Sequence, residues 1–361
     1  MVTAPPGPTT TDRRVAALPV LFGLFHMFVD ATTIFVLARS RVVHALPPHA
    51  AFGIVMAYDL AAFASQPLLG MLADSIRVFR GTVLAGLALA AMGVALLRVD
   101  PWLAVLVGAA GNAAFHVGAG ALCLHAQPGR ATPAGIFVAP GALGVAAGKL
   151  LAGNAAAEWP FLAALAAAAL LAAVVRVPHV PPPARRAFLA VRRPVAVLLL
   201  LLFSIVVRSL VGRAGGHLCP HAFAIAAGFA CAAFGGKALG GIVSDRFGWL
   251  ETGVGALLLS APLVAFGGSH AAVVTVGLFL VQMTMPVTLA ATVALLPGRP
   301  GTAFGLAALA YIGGFMATFL PGVKASYGPW SFLALILLAA AALYAALRLL
   351  GEAIPMKFDG K

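Results

Sequence analysis

Five ionisable residues stand inside long apolar runs of this chain: Asp30, Asp59, Lys149, Arg208 and Lys237. An ionised side chain at mid-bilayer costs about 2.5–3.5 kcal/mol on insertion scales, so each needs a partner or a task. His26 lies four residues before Asp30, which puts both on one helical face. A carboxylate beside an imidazole can store and pass a proton. A structural ion pair of Asp30 with Arg39 or Arg41 is the alternative, if the helix ends early, and the residues alone leave both open. Arg208, near the middle of LLLLLFSIVVRSLVG, poses a sharper demand. Its guanidinium does not discharge, so it needs a permanent acid or an anionic substrate. Asp30 is its expected internal partner. A carboxylate or phosphate displacing that pair would free Asp30 to take a proton.

The other candidates are weaker. Asp59 is expected to pair with Lys149 in the outer half of the membrane, or to serve as a second proton site. Lys237, eight residues before Asp245, is expected at the cytoplasmic gate in a salt bridge. Asn112 and His116 share a helical face and can line a polar cavity, with Gln282 and Tyr311, near Met283 and Met285, as its opposing wall. The plainer reading of His116, and of Gln282, Tyr311, Met283 and Met285, is packing.

The elements that must position these groups are membrane helices. With 361 residues, 62% hydrophobic and 9% charged, and a mean hydropathy of +1.04, the chain carries more apolar surface than a soluble core encloses. Apolar spans of bilayer-crossing length lie at 15–37, 50–73, 82–98, 102–125, 134–153, 158–177, 194–213, 221–243, 249–267, 271–296, 301–323 and 329–350. Their continuity excludes a transmembrane β-barrel. The Pro- and Thr-rich tail 1–14 reads as disordered and shows no signal-peptide cleavage pattern, so the first helix should stay attached.

Orientation follows from the basic loops. Arg13, Arg14, Arg77, Arg80, Arg130, Arg185, Arg186, Arg192, Arg193, Arg246, Arg299, Lys357 and Lys361 fall on one side, against Arg39 and Arg41 on the other. That side is expected to be cytoplasmic, with both termini there, in a bacterial-type inner membrane. The net charge of +13 is therefore a topology signal, and no nucleic-acid partner is expected. Cys123, Cys219 and Cys231 read as packing residues. Metalloprotease, nucleophile-elbow and zinc-knuckle spacings are all missing, and GVAAGKL fails as a phosphate loop because Leu143 stands where its first glycine belongs and Leu150 where Ser or Thr does. No enzyme activity, metal or cofactor is expected.

An internal repeat organises the spans. Gly70 to Asp74 (GMLAD) is echoed 171 residues later at Gly241 to Asp245, Pro48-His49-Ala50 is echoed 172 later at Pro220-His221-Ala222, and Pro128-Gly129-Arg130 is echoed 169 later at Pro297-Gly298-Arg299. The chain thus divides into a six-helix half at 15–177, a basic, proline-rich linker at 178–193, a second half at 194–350 and a tail at 351–361. Glycines 141, 144 and 148 allow the fifth span to cross a neighbour closely, and Pro140 can bend it.

Gly241-x-x-x-Asp245-Arg246-x-Gly248, with the degenerate Gly70-x-x-x-Asp74-Ser75-Ile76-Arg77, resembles the signature loop of the major facilitator superfamily. Gly111 to His116 (GNAAFH), Gly135 to Gly141 (GIFVAPG) and His26 to Asp30 are similar to its fosmidomycin-resistance-like exporters. The resemblance implies an all-α fold of two pseudo-symmetric six-helix halves that rock about a central cavity. It makes Asp74 and Asp245 gate residues at the cytoplasmic face, against the plain reading of a solvated turn. The expected function is proton-coupled transport by a monomer of a small solute, an anion if Arg208 binds it, with export implied by the resemblance. The alternatives are a multidrug-type exporter of lipophilic compounds and a non-transporting receptor or assembly protein.

Overall fold

The computed structural model describes residues 17–180, 191–215, 223–268, 270–320, 322–323 and 328–353. The expected tails (apart from 351–353), most of the linker, the Pro220-His221-Ala222 echo and Cys219 lie outside these residues.

Twelve helices long and apolar enough to cross a membrane follow one another: α1 Leu18–Val43, α2 Pro48–Ile76, α3 Phe79–Arg98, α4 Pro101–Ala126, α5 Thr132–Leu151, α6 Ala155–Val174, α7 Pro194–Ala214, α8 Ala226–Phe247, α9 Trp249–Phe266, α10 Ala271–Leu295, α11 Pro300–Ala317 and α12 Pro329–Glu352. The chain is a multi-pass, all-helical membrane protein. Proline opens many of these helices, where its missing N–H costs nothing; Asp100 additionally caps α4, accepting from the Leu103 N–H at 2.7 Å. Prolines further in leave marks. Pro67 follows a π-helical turn at Leu60–Ala64 in α2, and α10 is interrupted at Met283, three residues ahead of Pro286. Around the π turn, Ser65 Oγ donates to the Ala61 carbonyl and Gln66 Nε2 to that of Ala62.

The first helix runs to Val43, six residues beyond its expected end at 37. Asp30 is therefore well inside α1, and Arg39 reaches over the end of α5 instead, donating to the Ala152 and Gly153 carbonyls at 3.2 and 3.4 Å. The expected alternative of a pair between Asp30 and Arg39 or Arg41 fails for that reason. Cys123 is buried as expected, but Cys231 is exposed on α8 and is not a core residue.

Each half buries its own apolar core, around Phe22, Phe115 and Phe137 in the first and Leu201, Phe332 and Leu347 in the second. Large apolar side chains such as Leu170, Val174, Leu199 and Leu259 stay exposed, as a surface against lipid requires. The halves meet along two seams, α2 against α11 and α5 against α8. Both depend on glycine. A Cβ on Gly70 would run into the Gly301 carbonyl, and one on Gly135 into that of Lys237.

The two ends differ in charge. Arg77 Nη1 donates to the Gly298 carbonyl at 3.2 Å and Arg130 Nε stands 3.5 Å from Asp245 Oδ2, which gathers the α2–α3, α4–α5, α8–α9 and α10–α11 connections at one basic end. At the opposite end His44 Nε2 meets the Leu97 carbonyl at 2.7 Å and Arg98 pairs with Glu158 at 3.3 Å.

Candidate functional site

Between the halves lies a cavity of about 820 Å³. Its lining runs from Lys149 and Leu150 on α5 and Ala226 on α8, near the end away from the basic loops, down through Gln66, His116 and Lys237 to an apolar floor at Val138, Leu289 and Phe304. Gln66, His116 and Lys237 each stand ten residues, about 15 Å of helix, from the basic end of their own helix. The cavity is closed at the basic end and reaches toward the other.

On the first-half wall, α1 and α4 bring five polar side chains together in apolar surroundings. His26 Nε2 stands 3.1 Å from Asp30 Oδ2, and His116 Nε2 stands 2.7 Å from His26 Nε2 and 3.7 Å from Asp30 Oδ1. Asn112 Nδ2 donates to Asp30 Oδ1 at 2.8 Å and to Thr33 Oγ1 at 3.2 Å, and Thr33 Oγ1 meets the Tyr58 hydroxyl at 2.9 Å. His26, His116 and Asn112 are all buried.

The tautomers follow from the partners. His26 Nδ1 is 2.9 Å from the Phe137 carbonyl and His116 Nδ1 is 2.8 Å from that of Asn112; a carbonyl only accepts, so both Nδ1 atoms carry hydrogen. Both Nε2 atoms then point lone pairs at each other and at the carboxylate. Three acceptors converge with no donor among them, an arrangement that one shared proton stabilises. One ligand atom from each of the three residues lies within 4.8 Å of the others, which also invites a metal ion. Two imidazoles on one tetrahedral zinc, with Zn–N bonds of 2.0–2.1 Å, stand about 3.3 Å apart. The 2.7 Å between the Nε2 atoms fits a proton better.

α5 supplies the room. A Cβ at Gly141 would stand 2.5 Å from His26 Nε2 and 2.6 Å from Asp30 Oδ2. Gly144 and Gly148 lie against the Met27 and Ala31 backbone of α1, so the glycine spacing seen in the sequence is a close α1–α5 crossing.

The second-half wall carries Arg208, Lys237, Gln282 and Tyr311. Tyr311 is 39% exposed, facing the cavity, whereas Arg208 is 6% exposed and its Nε is buried with no hydrogen-bond partner. Among the described residues no carboxylate lies within 4.0 Å of Arg208 or Lys237. The expected Asp30–Arg208 pair is therefore not formed: Asp30 is held by His26 and Asn112 on the other wall. Lys237 is likewise not in a salt bridge at the gate but faces the cavity. Nor does Asp59 form its expected ion pair with Lys149. The two are within electrostatic reach, but Asp59 Oδ2 is buried with no hydrogen-bond partner and only Lys149 lines the cavity. Met285 lines it too, while Met283 is buried in packing.

At the basic end the repeat extends to individual atoms. Asp74 accepts from the Gly301 and Thr302 N–H groups at 3.0 and 2.7 Å and from Thr302 Oγ1 at 2.6 Å, at the N-terminus of α11. Asp245 accepts from the Ala131 and Thr132 N–H groups at 2.7 and 2.9 Å, at the N-terminus of α5, and from Trp249 Nε1 at 3.3 Å. Each carboxylate caps a helix of the other half, where the positive end of the helix dipole favours it. Arg77, in the left-handed region at φ 60°, reaches Gly298 across the seam, whereas Arg246 lies over Phe247 of its own helix at 5.5 Å. Gly248 turns the chain into α9 at φ 108°, a conformation that only glycine adopts freely.

Sequence reasoning missed Thr33 and Tyr58, two neutral hydroxyl residues with no charge to mark them, and misjudged the depth of Lys237.

No protein-family model matches this chain, and no curated protein does. Solved structures do. The E. coli fucose:proton symporter FucP aligns with a TM-score of 0.71 at 16% identity, covering 93% of this chain and 98% of that one. The human organic anion transporter MFSD10 aligns at 0.69 and 16%, covering 93% and 100%. A bacterial homologue of the iron transporter ferroportin, in an outward-facing state, aligns at 0.57 and 16%, covering 94% and 98%. FucP is a major facilitator superfamily transporter. Identities this low speak for the fold alone, and the fold of this chain is the twelve-helix, two-half architecture of major facilitator transporters.

Proposed function

We propose that the chain is a secondary active transporter that moves a small anionic solute by proton-coupled alternating access, its halves 15–177 and 194–350 rocking about the central cavity. One observation carries the reading: an imidazole–carboxylate–imidazole cluster, whose three converging acceptors suit one shared proton, faces across one cavity an arginine with no carboxylate of its own. With the basic end cytoplasmic by the positive-inside rule, and the protein a monomer in a bacterial-type inner membrane as expected, a cavity reaching toward the opposite end is an outward-facing state. Asp74 and Asp245 act as its latches. Caps on the facing half hold the cytoplasmic end shut and must break when it opens.

The sign of coupling follows from charge. A proton on the cluster adds positive charge to a cavity that receives an anion, so proton and anion favour each other's binding. Co-binding suits movement in one direction, inward with the proton gradient. Export, which the short exporter-like stretches imply, requires proton and solute to compete for the site. The apolar walls at Val138, Ile205, Phe229 and Leu289 support a second reading, a multidrug-type exporter of lipophilic compounds. A receptor or assembly protein would tolerate neutralisation of Asp30 and Arg208 together, and a carrier would not.

Uptake of labelled solutes into proteoliposomes tests this. Organic anion uptake should scale with an imposed pH gradient and lose that dependence in Asp30→Asn. Equal gradient-driven uptake in wild type and variant would overturn proton coupling, and transport of lipophilic cations alone would select the second reading.

A further inference from the structure

The anion site holds more charge than one arginine. Among the described residues that line the cavity, the single carboxylate is Asp30, already bonded to His26 and Asn112, while the cations are Lys149, Arg208 and Lys237. Lys149 stands apart at the outer end of α5, within electrostatic reach of Asp59. Arg208 on α7 and Lys237 on α8 both line the cavity and lie within electrostatic reach of each other; Lys237 also feels Asp30 on the facing wall, but no acid stands within 4.0 Å of either cation. Two like charges in a half-dry wall repel each other and lose hydration, which an unliganded protein has no structural reason to maintain. A ligand with two negative charges removes both costs together. One with a single charge leaves a cation over. Beside the pair, Ile205, Phe229, Met285 and Leu289 present apolar surface, and Gln282 and Tyr311 add donors.

We infer that Arg208 and Lys237 form a two-cation clamp for a doubly charged acidic head group, a phosphonate, phosphate monoester or dicarboxylate, carried on a compact apolar body. The inference rests on the anion-carrier reading and narrows it. The guanidinium supplies a planar, two-pronged contact to one pair of oxygens, and the ammonium supplies a point charge to the remaining oxygen. The apolar body then packs on the α7, α8 and α10 side chains, leaving the proton cluster on the facing wall unobstructed.

The test is thermal stabilisation of the detergent-purified protein by phenylphosphonate, a dianion in mildly alkaline buffer, and by its monomethyl ester, a monoanion of nearly the same shape. Wild type should bind the dianion at least about tenfold more tightly than the ester. Lys237→Gln should erase that difference and leave both at the affinity of the ester, while Lys237→Arg should keep it. Arg208→Gln should weaken both. Equal affinity for the two probes in wild type, or an intact preference in Lys237→Gln, would overturn the clamp; if Arg208→Gln still weakened binding, the anion carrier would stand. Failure of both probes to stabilise wild type at millimolar concentration, or binding unchanged in Arg208→Gln, would remove both readings. A lower melting temperature of unliganded Lys237→Gln would make Lys237 structural and also overturn the clamp, because removing an unpaired cation should leave the empty protein as stable or more so.

Discussion

On the cavity wall built by α1 and α4, every ionisable side chain is engaged: Asp30 by His26 and Asn112, His26 by the Phe137 carbonyl, His116 by the Asn112 carbonyl. On the wall built by α7 and α8, Arg208 and Lys237 have no acid within reach of an ion pair, and the Arg208 Nε has no partner at all. The two walls belong to the two six-helix halves. The difference shows how a two-half scaffold divides labour. Groups that change charge are gathered on one half and wired together, which sets where a proton sits. A guanidinium and an ammonium are placed on the other half and left open, which sets what the cavity attracts.

Substitutions that erase one wall break this comparison most severely. Asp30→Asn keeps the shape but leaves the shared proton without its counter-charge. Losing one partner of a buried charge pair costs about 3–5 kcal/mol, so proton affinity of the cluster should fall by more than a hundredfold, read as loss of gradient-driven uptake. Anion binding at alkaline pH should survive. Arg208→Gln should do the reverse: about 2–5 kcal/mol of anion binding lost by calorimetry, while histidine NMR still shows the cluster taking up its proton. If either variant disabled both functions alike, the walls would not be separable.

Gly141→Ala sharpens the comparison at lower cost. Its Cβ would press within 2.5 Å of His26 Nε2 and 2.6 Å of Asp30 Oδ2 and touches neither Arg208 nor Lys237. Overpacking of this kind costs about 1–3 kcal/mol. The melting temperature should drop and proton coupling weaken, while the preference between phenylphosphonate and its ester persists. Smallest is the effect of Asp245→Asn, which touches neither wall. Weakening one charged helix cap, about 1 kcal/mol, should raise the inward-open population roughly fivefold, measured by spin-label distances across the cytoplasmic end.

The helices and the duplicated plan were legible because hydropathy, glycine spacing and basic loops are local signals. So was the His26–Asp30 pair, one helical turn apart. The completion of that pair by His116, 90 residues away, was not, because it depends on how α4 passes α1. The pairing of Arg208 with Asp30 failed for a related reason. Sequence shows that a charge is deep but not which side of a cavity it stands on, and the imidazoles closer to Asp30 already hold it. The same holds for Asp59 and Lys149, whose shared depth is no ion pair. Lys237 is a different case: ten residues separate it from Phe247, about 15 Å of helix, so its central depth was countable from the start.

The central claim is that a proton on the α1–α4 wall and an anion on the α7–α8 wall help each other bind. Calorimetric titration of phenylphosphonate in buffers of different ionisation enthalpy counts protons exchanged per anion bound. In mildly alkaline buffer, where phenylphosphonate is already the dianion and has no proton of its own to give up, the account predicts net proton uptake in wild type and none in Asp30→Asn. Proton release on binding, or uptake that persists in Asp30→Asn, would contradict it.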